Sequence, residues 1–355
     1  MTVNPFDADR PPEVSRPGGR RRRGGGRRRD ESLMVPDIEF DSYYGRQVVK
    51  PAPWTSDIPA YIFLGGLAAG SGLLGAGASA RNLPTLRRNT RYAALAAVAA
   101  GGLALVRDLG KPSRALNMMR TVKVTSPMSV GSWILTAFAA FAGLGVASEV
   151  GRHVVDDDSA LGRVRRVADP VASVGSALFA APLAAYTAVL LADTATPSWH
   201  ESYRELPFVF VGSANAAAAG LALVTAPTSE TGPARKLAVA GAALELAALE
   251  QMERTMGELV AEPLHVGRAG VLLKVSKALT VTGALGAALF GRNRAAAAVS
   301  GVALMAGSAC TRFGIFEAGL ESAKDPRYTV TPQRERLEGR RAQGVTHDSI
   351  TTSRQ

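Results

Sequence analysis

Residues able to bind a lipid-soluble molecule with a polar headgroup are concentrated between positions 52 and 133. The stretch DLGKPSRALNMMRTVKVTSPMSVGSW, at 108–133, separates two long apolar runs and holds acidic, basic and hydroxyl side chains. Such groups beside apolar surface can orient a headgroup and move its protons. The pattern predicts a headgroup pocket, a docking surface for a partner, or an ordinary interfacial belt. The candidate pocket residues are Trp54, Asp57, Tyr61, Arg107, Asp108, Arg114, Ser126 and Trp133.

A second set of polar residues lies inside apolar runs further along the chain. Glu245 and Asn215 fall near the middle of such runs, and Glu250 follows in the same run as Glu245. Polar groups are costly in hydrocarbon, so each is a functional candidate. We expect Glu245, Glu250 and Asn215 to form part of a proton path. The alternatives are a paired structural carboxylate at Glu245 and an interhelical hydrogen bond at Asn215.

The candidate residues of both sets lie in or next to long apolar runs, which must form the helices that position them. A membrane-spanning helix needs about 20 mostly apolar residues. Four runs have no polar face to turn to water, which argues against a soluble helical protein. We predict an all-α integral membrane protein with about eight transmembrane helices, near 59–80, 92–106, 129–148, 171–192, 207–227, 234–252, 270–290 and 295–316.

The connection at 107–128 has a defined start and end. Gly110 and Pro112 predict the end of the second helix. Ser126 is the predicted N-cap of the third helix, Pro127 suits its first turn, and Trp133 can anchor near headgroup depth. Between these points, ALNMMR is a short amphipathic segment for the interface plane.

Histidine and cysteine usage limits the redox cofactors. The four histidines, His153, His200, His265 and His347, all lie away from the middle of a predicted span, and there is one cysteine, Cys310. A membrane cytochrome b needs axial histidines on facing helices, and an iron–sulfur cluster needs several cysteines. We therefore expect no haem and no iron–sulfur cluster in this chain.

The two ends of the chain differ from its middle. Residues 1–40 are rich in Arg and Gly, with GGRRRRGGGRRRD at 18–30, and are predicted to be a disordered tail. No aromatic residues interleave with the arginines, so we expect contact with anionic membrane lipid and no specific nucleic acid. Residues 321–355 are predicted to be a polar tail.

An even number of spans puts both termini on one side, side A, together with the connections near 107–128, 193–206 and 253–269; the opposite side is side B. The arginine-rich tail favours side A in the cytoplasm, although the loop charges are nearly balanced.

Two stretches resemble the NrfD/PsrC family of membrane subunits of polysulfide-reductase-type and formate-dehydrogenase-type complexes. They are SYYGRQVVKPAPWTSDIPAYIFLGGLAAGSGLL at 42–74 and DLGKPSRALNMMRTVKVTSPMSVGSWIL at 108–135. The resemblance extends in architecture over a predicted domain at 41–320. It implies two four-helix bundles and a quinone pocket near the face where a partner docks. Relatives of the polysulfide type place side A outside the cell, so the resemblance leaves the orientation open.

The resemblance also implies partners and a role. The expected partners are an iron–sulfur, ferredoxin-like subunit and a molybdopterin catalytic subunit, and the expected bound substrate is menaquinone or ubiquinone. The chain would be the quinone-interacting membrane anchor of an oxidoreductase in the inner or plasma membrane, without its own redox cofactor. The remaining basic residues of the connection are expected at the docking surface: Lys111, Arg120 and Lys123.

Two other functions remain open from the sequence. A secondary transporter or ion pathway would use Glu245 and Asn215. A purely structural anchor would dock a soluble enzyme through the same connection without binding quinone.

Overall fold

The computed structural model describes residues 47–343, except 112, 114, 121 and 157. The predicted N-terminal tail and the last residues of the predicted C-terminal tail lie outside this part of the chain. Within it, every regular element is a helix, so the all-α prediction is confirmed.

Eight long helices form the body of the described part of the chain. Most of them extend the predicted spans at one or both ends, most clearly the second and the fourth, whereas the fifth ends two residues before its predicted end. Their bounds are α1 Asp57–Ala80, α2 Pro84–Asp108, α4 Pro127–Val154, α5 Ala160–Ala192, α7 Leu206–Thr225, α8 Gly232–Met256, α10 Gly267–Phe290 and α11 Arg294–Lys324.

Short helices occupy the side-A connections. They are α3 Ala115–Met118, α6 Pro197–Glu201 and α9 Glu258–Ala261, followed by a 3-10 turn at Glu262–Leu264. Proline lies in the first turn of α2, α4, α6, α7 and α8. A backbone N–H at this position has no acceptor within the helix, so proline, which lacks the N–H, costs no hydrogen bond there. Ser126 is the residue before α4, as predicted, but its side chain makes no cap hydrogen bond.

The long helices pack in two groups of four. In the first group, α1 packs against α2 and α5, and α4 packs against α2 and α5. In the second group, α7 packs against α8 and α11, and α10 packs against α8 and α11. The two groups meet mainly where α1 and α5 contact α7.

Membrane-spanning character is clear for seven helices of the described chain. These seven are long and apolar enough to cross a membrane, and α8 is the exception among the eight long helices. The protein is therefore an integral membrane protein, while the predicted count of eight spans is not confirmed. The helix α8 does not meet this requirement because it carries six charged side chains: Arg235, Lys236, Glu245, Glu250, Glu253 and Arg254.

Small residues allow close helix packing, as their four-residue spacing indicates. A Cβ on Gly212 of α7 would lie 2.5 Å from the backbone nitrogen of Glu245 on α8. A Cβ on Gly220 would lie 2.5 Å from the carbonyl oxygen of Gly301 on α11. A Cβ on Gly70 of α1 would lie 2.7 Å from the carbonyl oxygen of Ala214. The backbone of α7 is thus in contact with three neighbours at once.

An ion-pair network holds the side-B end of the first group. Arg91 lies 2.8 Å from Glu149 and 2.6 Å from Asp169. Arg87 approaches Glu149 at 2.6 Å, and Arg152 approaches Asp169 at 2.9 Å. Arg91 and Glu149 are both buried. The network joins α2, α4 and α5.

A further helix, α12 at Arg327–Ala342, occupies much of the segment predicted to be a polar tail. Arg336 lies 2.8 Å from Glu201 of α6, and Arg327 lies 2.9 Å from Glu262. These contacts attach α12 to the short elements of side A.

Candidate functional site

The candidate site begins with a link between two segments on side A. Asp108 is the last residue of α2, and Thr55 lies just before α1. The Thr55 N–H and hydroxyl both donate to Oδ1 of Asp108, at 3.1 Å and 2.8 Å. A carboxylate that accepts two hydrogen bonds fixes the approach of the chain to α1.

A narrow cavity of about 90 Å³ opens beside this link. Residues of α1, α2, α3, α4 and α5 line it, all from the first group of helices or the segments next to it. Its walls are mostly apolar, with a few polar groups, as is usual for sites that bind small molecules. The lining residues are Trp54, Ile58, Tyr61, Ile62, Leu105, Asp108, Leu109, Met118, Met128, Ser132, Tyr186, Leu190 and Leu191.

Tyr61 is the most buried polar side chain of this cavity. Tyr61 is only 3% exposed, and its hydroxyl forms no hydrogen bond with any other described residue. A phenol hydroxyl in such surroundings normally has a partner. The Tyr61 hydroxyl is therefore available to a molecule in the cavity.

Trp54 connects the cavity wall to the second group of helices. Its ring stacks on Trp199 of α6, with centroids 5.7 Å apart. Trp199 is fully buried, donates from Nε1 to the carbonyl oxygen of Ile315 at 2.9 Å, and packs on Phe316. A Cβ on Gly319 would lie 2.0 Å from the Trp199 ring, so glycine is needed there. The position of Trp54 thus depends on α11 through Trp199.

Asp57 and Arg107 lie close together outside the lining of the cavity. The Arg107 Nε lies 3.8 Å from Oδ2 of Asp57, and the arginine side chain is 71% exposed. An exposed pair at this distance contributes little to stability. Both side chains are accessible to a molecule or a partner on side A.

The other predicted pocket residues are placed differently. Ser126 precedes α4 and does not line the cavity, and neither does Trp133, which is 40% exposed on α4. Arg114 lies outside the described residues. The structure therefore brings together Trp54, Tyr61 and Asp108 from the predicted set.

Tyr186 and the methionines of the lining were missed by the sequence prediction. Tyr186 lies on α5, and its ring packs so closely on α4 that a Cβ on Gly131 would lie 2.2 Å from it. A tyrosine inside an otherwise apolar run was the available signal. Met118 lies on α3 within the polar connection and Met128 lies in the first turn of α4, and their flexible side chains can fit an irregular ligand.

Three basic residues lie in the connection that contributes Leu109 and Met118 to the cavity lining. Lys111, Arg120 and Lys123 are all exposed, and the Lys123 N–H donates to Oγ of Ser129 at 3.0 Å. They present positive charge on side A, as expected of residues that dock an acidic partner surface.

A separate polar cluster lies inside the second group of helices. Glu245 is 2% exposed and accepts a hydrogen bond from Thr311 at 2.5 Å, and Thr311 also contacts Ser276. The neighbouring Arg312 is 1% exposed and donates to the carbonyl oxygen of Phe210 at 2.6 Å. Its guanidinium carbon lies 3.8 Å from the centroid of the Phe210 ring.

Arg312 was missed by the sequence prediction, although a charged residue inside an apolar run is itself a signal. It directly follows Thr311, the residue that donates to Glu245, so the two charged residues belong to one buried cluster. Three of their buried polar atoms lack a hydrogen-bond partner among the described residues: Glu245 Oε2, Arg312 Nε and Arg312 Nη1. Buried polar atoms of this kind commonly bind internal water.

The other two residues of the predicted proton path lie apart from this cluster. Glu250 is exposed and pairs with Arg254 one turn along α8, at 2.9 Å. Asn215 lies where α7 faces Gly241 of α8, and its side chain makes no hydrogen bond with the described residues. Of the three, Glu245 alone is part of the buried cluster.

Comparisons with known proteins identify one family. The family model described as "Polysulphide reductase, NrfD" matches residues 46–321, which include all eight long helices up to the last turn of α11. No curated protein sequence matches the chain significantly. No group of three or more His, Cys, Asp or Glu side chains within the described residues could hold a metal ion.

Proposed function

Because the chain belongs to the NrfD family, which implies a membrane subunit of a respiratory oxidoreductase complex, we propose that it binds quinone or quinol in the side-A cavity. It would exchange electrons there with an iron–sulfur partner subunit. The observation that carries this proposal is the free Tyr61 hydroxyl in a cavity that Asp108 and Trp54 also line.

The cavity has the groups that a quinone headgroup requires. The Tyr61 hydroxyl can donate to a quinone carbonyl, and the Asp108 carboxylate can accept from a quinol hydroxyl. The rings of Trp54 and Tyr186 supply flat apolar surface for the headgroup. The open polar connection between α2 and α4 lies next to these groups, so protons can reach water on side A.

Oxidation of quinol to quinone releases two electrons and two protons, and reduction takes up the same number. The electrons would pass to or from an iron–sulfur cluster of the partner, which docks on side A over Lys111, Arg120 and Lys123. A molybdopterin catalytic subunit would lie beyond it. The complex would be in the plasma membrane, with menaquinone or ubiquinone as the bound substrate.

We also propose that α8 crosses the membrane as the eighth span. The middle of α8 at Gly241 is in backbone contact with α7 at Gly212 and at Ala216, which lies near the middle of α7. Because α7 is long and apolar enough to span, this contact supports a position of α8 at the same depth beside it. Its charged centre is buried against the other helices, as polar groups in membrane proteins usually are.

Replacing Tyr61 with phenylalanine tests the quinone site. The variant keeps the ring and loses a hydrogen bond of about 1 kcal/mol, so we expect roughly five- to tenfold weaker quinone binding by the purified complex. The measurement is titration of a quinone analogue followed by fluorescence quenching. Tyr92→Phe is the matched control, because Tyr92 is exposed on α2. Equal affinity of Tyr61→Phe and Tyr92→Phe would contradict the proposed site.

A second candidate function is a proton or ion pathway through the second group of helices. The unpartnered atoms of Glu245 and Arg312 favour it, because water bound there could carry protons. If the chain alone forms such a pathway, liposomes containing it should acidify under an imposed potential, and Glu245→Gln should slow this acidification at least tenfold. Proton flux equal to that of protein-free liposomes would rule out a pathway formed by this chain alone.

A further inference from the structure

A larger groove lies at the opposite end of the molecule, where α1 and α8 approach side B. Its volume is about 550 Å³. Its apolar walls come from Leu73 and Leu74 of α1 and from Leu237 and Ala240 of α8, and Gly77 leaves one side open. Leu73 is 39% exposed, so the groove opens on the outer surface of the helices. An acyl chain of a lipid fits such a surface.

Two cations line the same groove. Arg81 follows the last residue of α1, and Lys236 lies in the first turns of α8. Both are exposed, and the side chain of neither forms an ion pair or a hydrogen bond with the described residues. By contrast, Arg87 and Arg91 on the same side are held by Glu149. Arg81 and Lys236 are thus free to bind an external anion.

We propose that this groove binds an anionic glycerophospholipid. Arg81 and Lys236 bind the phosphate-containing headgroup, and an acyl chain lies along Leu73 and Leu237. The first turn of α8, at Gly232 and Pro233, also lines the groove and adds the positive end of a helix dipole.

The residues that line the groove favour an anionic lipid over a zwitterionic one. The described lining residues include two cations and no acidic side chain, so nothing in the groove would pair with the amine of a zwitterionic headgroup. A small soluble anion would leave the apolar walls uncovered. Because α1 belongs to the first group of helices and α8 to the second, the bound lipid would contact both groups. We therefore expect it to stabilise their association.

Thermal unfolding of the purified full-length chain in mild detergent tests this site. The probes are dioleoylphosphatidylglycerol, which is anionic, and dioleoylphosphatidylcholine, which is zwitterionic. We expect the anionic lipid to raise Tm more. The double variant Arg81→Gln/Lys236→Gln should bind it roughly 10- to 25-fold more weakly, since each basic residue near an anionic headgroup contributes several-fold. Arg88→Gln/Arg292→Gln is the matched control, because both arginines are exposed on side B outside this groove.

A second variant tests the apolar part without changing charge. A Cβ on Gly77 would meet no atom within 4 Å, so Gly77→Leu can be accommodated and its side chain would occupy the groove. It should abolish the preference for the anionic lipid. The proposal is overturned if both lipids act equally on the wild type, if the Arg81/Lys236 and Gly77 variants respond as the wild type does, or if the Arg88/Arg292 control loses as much response.

Discussion

Asp108→Ala is expected to reduce quinone-dependent turnover of the assembled complex by roughly 10- to 100-fold. The substitution removes the carboxylate that lines the cavity and both hydrogen bonds from Thr55. Hydrogen bonds to a charged acceptor contribute about 1.5–3 kcal/mol each, and 1.4 kcal/mol corresponds to a tenfold change. Because this link is partly exposed, the lower part of that range applies. The measurement is quinol oxidation, or quinone reduction, at saturating partner substrate.

Two further variants show how the effect of Asp108→Ala on turnover is to be interpreted. Asp193→Ala makes the same change at an exposed aspartate of side A and should leave turnover unchanged. Asp108→Asn keeps an oxygen for the Thr55 N–H and hydroxyl but removes the charge. Activity close to wild type in Asp108→Asn would assign Asp108 to holding the segment before α1, and loss of activity would assign it to proton handling. If Asp108→Ala is as active as Asp193→Ala, the cavity is not the quinone site.

Arg312→Leu is expected to lower the free energy of unfolding by about 3–5 kcal/mol, because it removes the hydrogen bond to the Phe210 carbonyl oxygen and leaves the buried cluster around Glu245 without a positive charge. The double variant Glu245→Gln/Arg312→Leu should recover a large part of this loss. Replacing both buried charged groups by uncharged side chains leaves no uncompensated charge in the cluster. Reversible unfolding in mixed micelles, followed by circular dichroism, measures both effects.

The matched control for Arg312 is Arg254→Leu. Arg254 pairs with Glu250 on the exposed face of α8, where both side chains are more than half exposed. Loss of such a surface pair should cost less than about 1 kcal/mol. A similar loss of stability in Arg312→Leu and Arg254→Leu would mean that Glu245 and Arg312 are not electrostatically coupled.

The helices and the small-residue contacts could be predicted from the sequence. An apolar run of about 20 residues without a polar face has one favourable environment, a membrane helix whose backbone groups are paired internally. Proline and serine at 126–127 predicted the start of α4, and the structure places it there. Small residues four positions apart, such as Gly66 and Gly70, fall on one helix face by spacing alone, so their close packing could also be inferred from the sequence.

The contents of the candidate site could be predicted only in part. Trp54 precedes α1 and Asp108 ends α2. Because successive helices run in opposite directions, the start of α1 and the end of α2 lie at the same surface. Tyr186 could not be assigned in this way, because its contact with the cavity depends on the rotation of α5 about its axis. That rotation is set by packing, here by the fit of the Tyr186 ring against Gly131 of α4.

Pairing between distant residues was likewise decided by the tertiary structure. Glu245 and Glu250 are neighbours in sequence, yet the first is buried beside Arg312 and the second is exposed with Arg254. The sequence by itself determined that the chain is a helical membrane protein with a polar connection between α2 and α4, because hydrophobicity and helix-ending residues act locally. Only the tertiary structure decided which polar groups share a cavity, because helix rotation and neighbour choice depend on contacts between residues far apart in the chain.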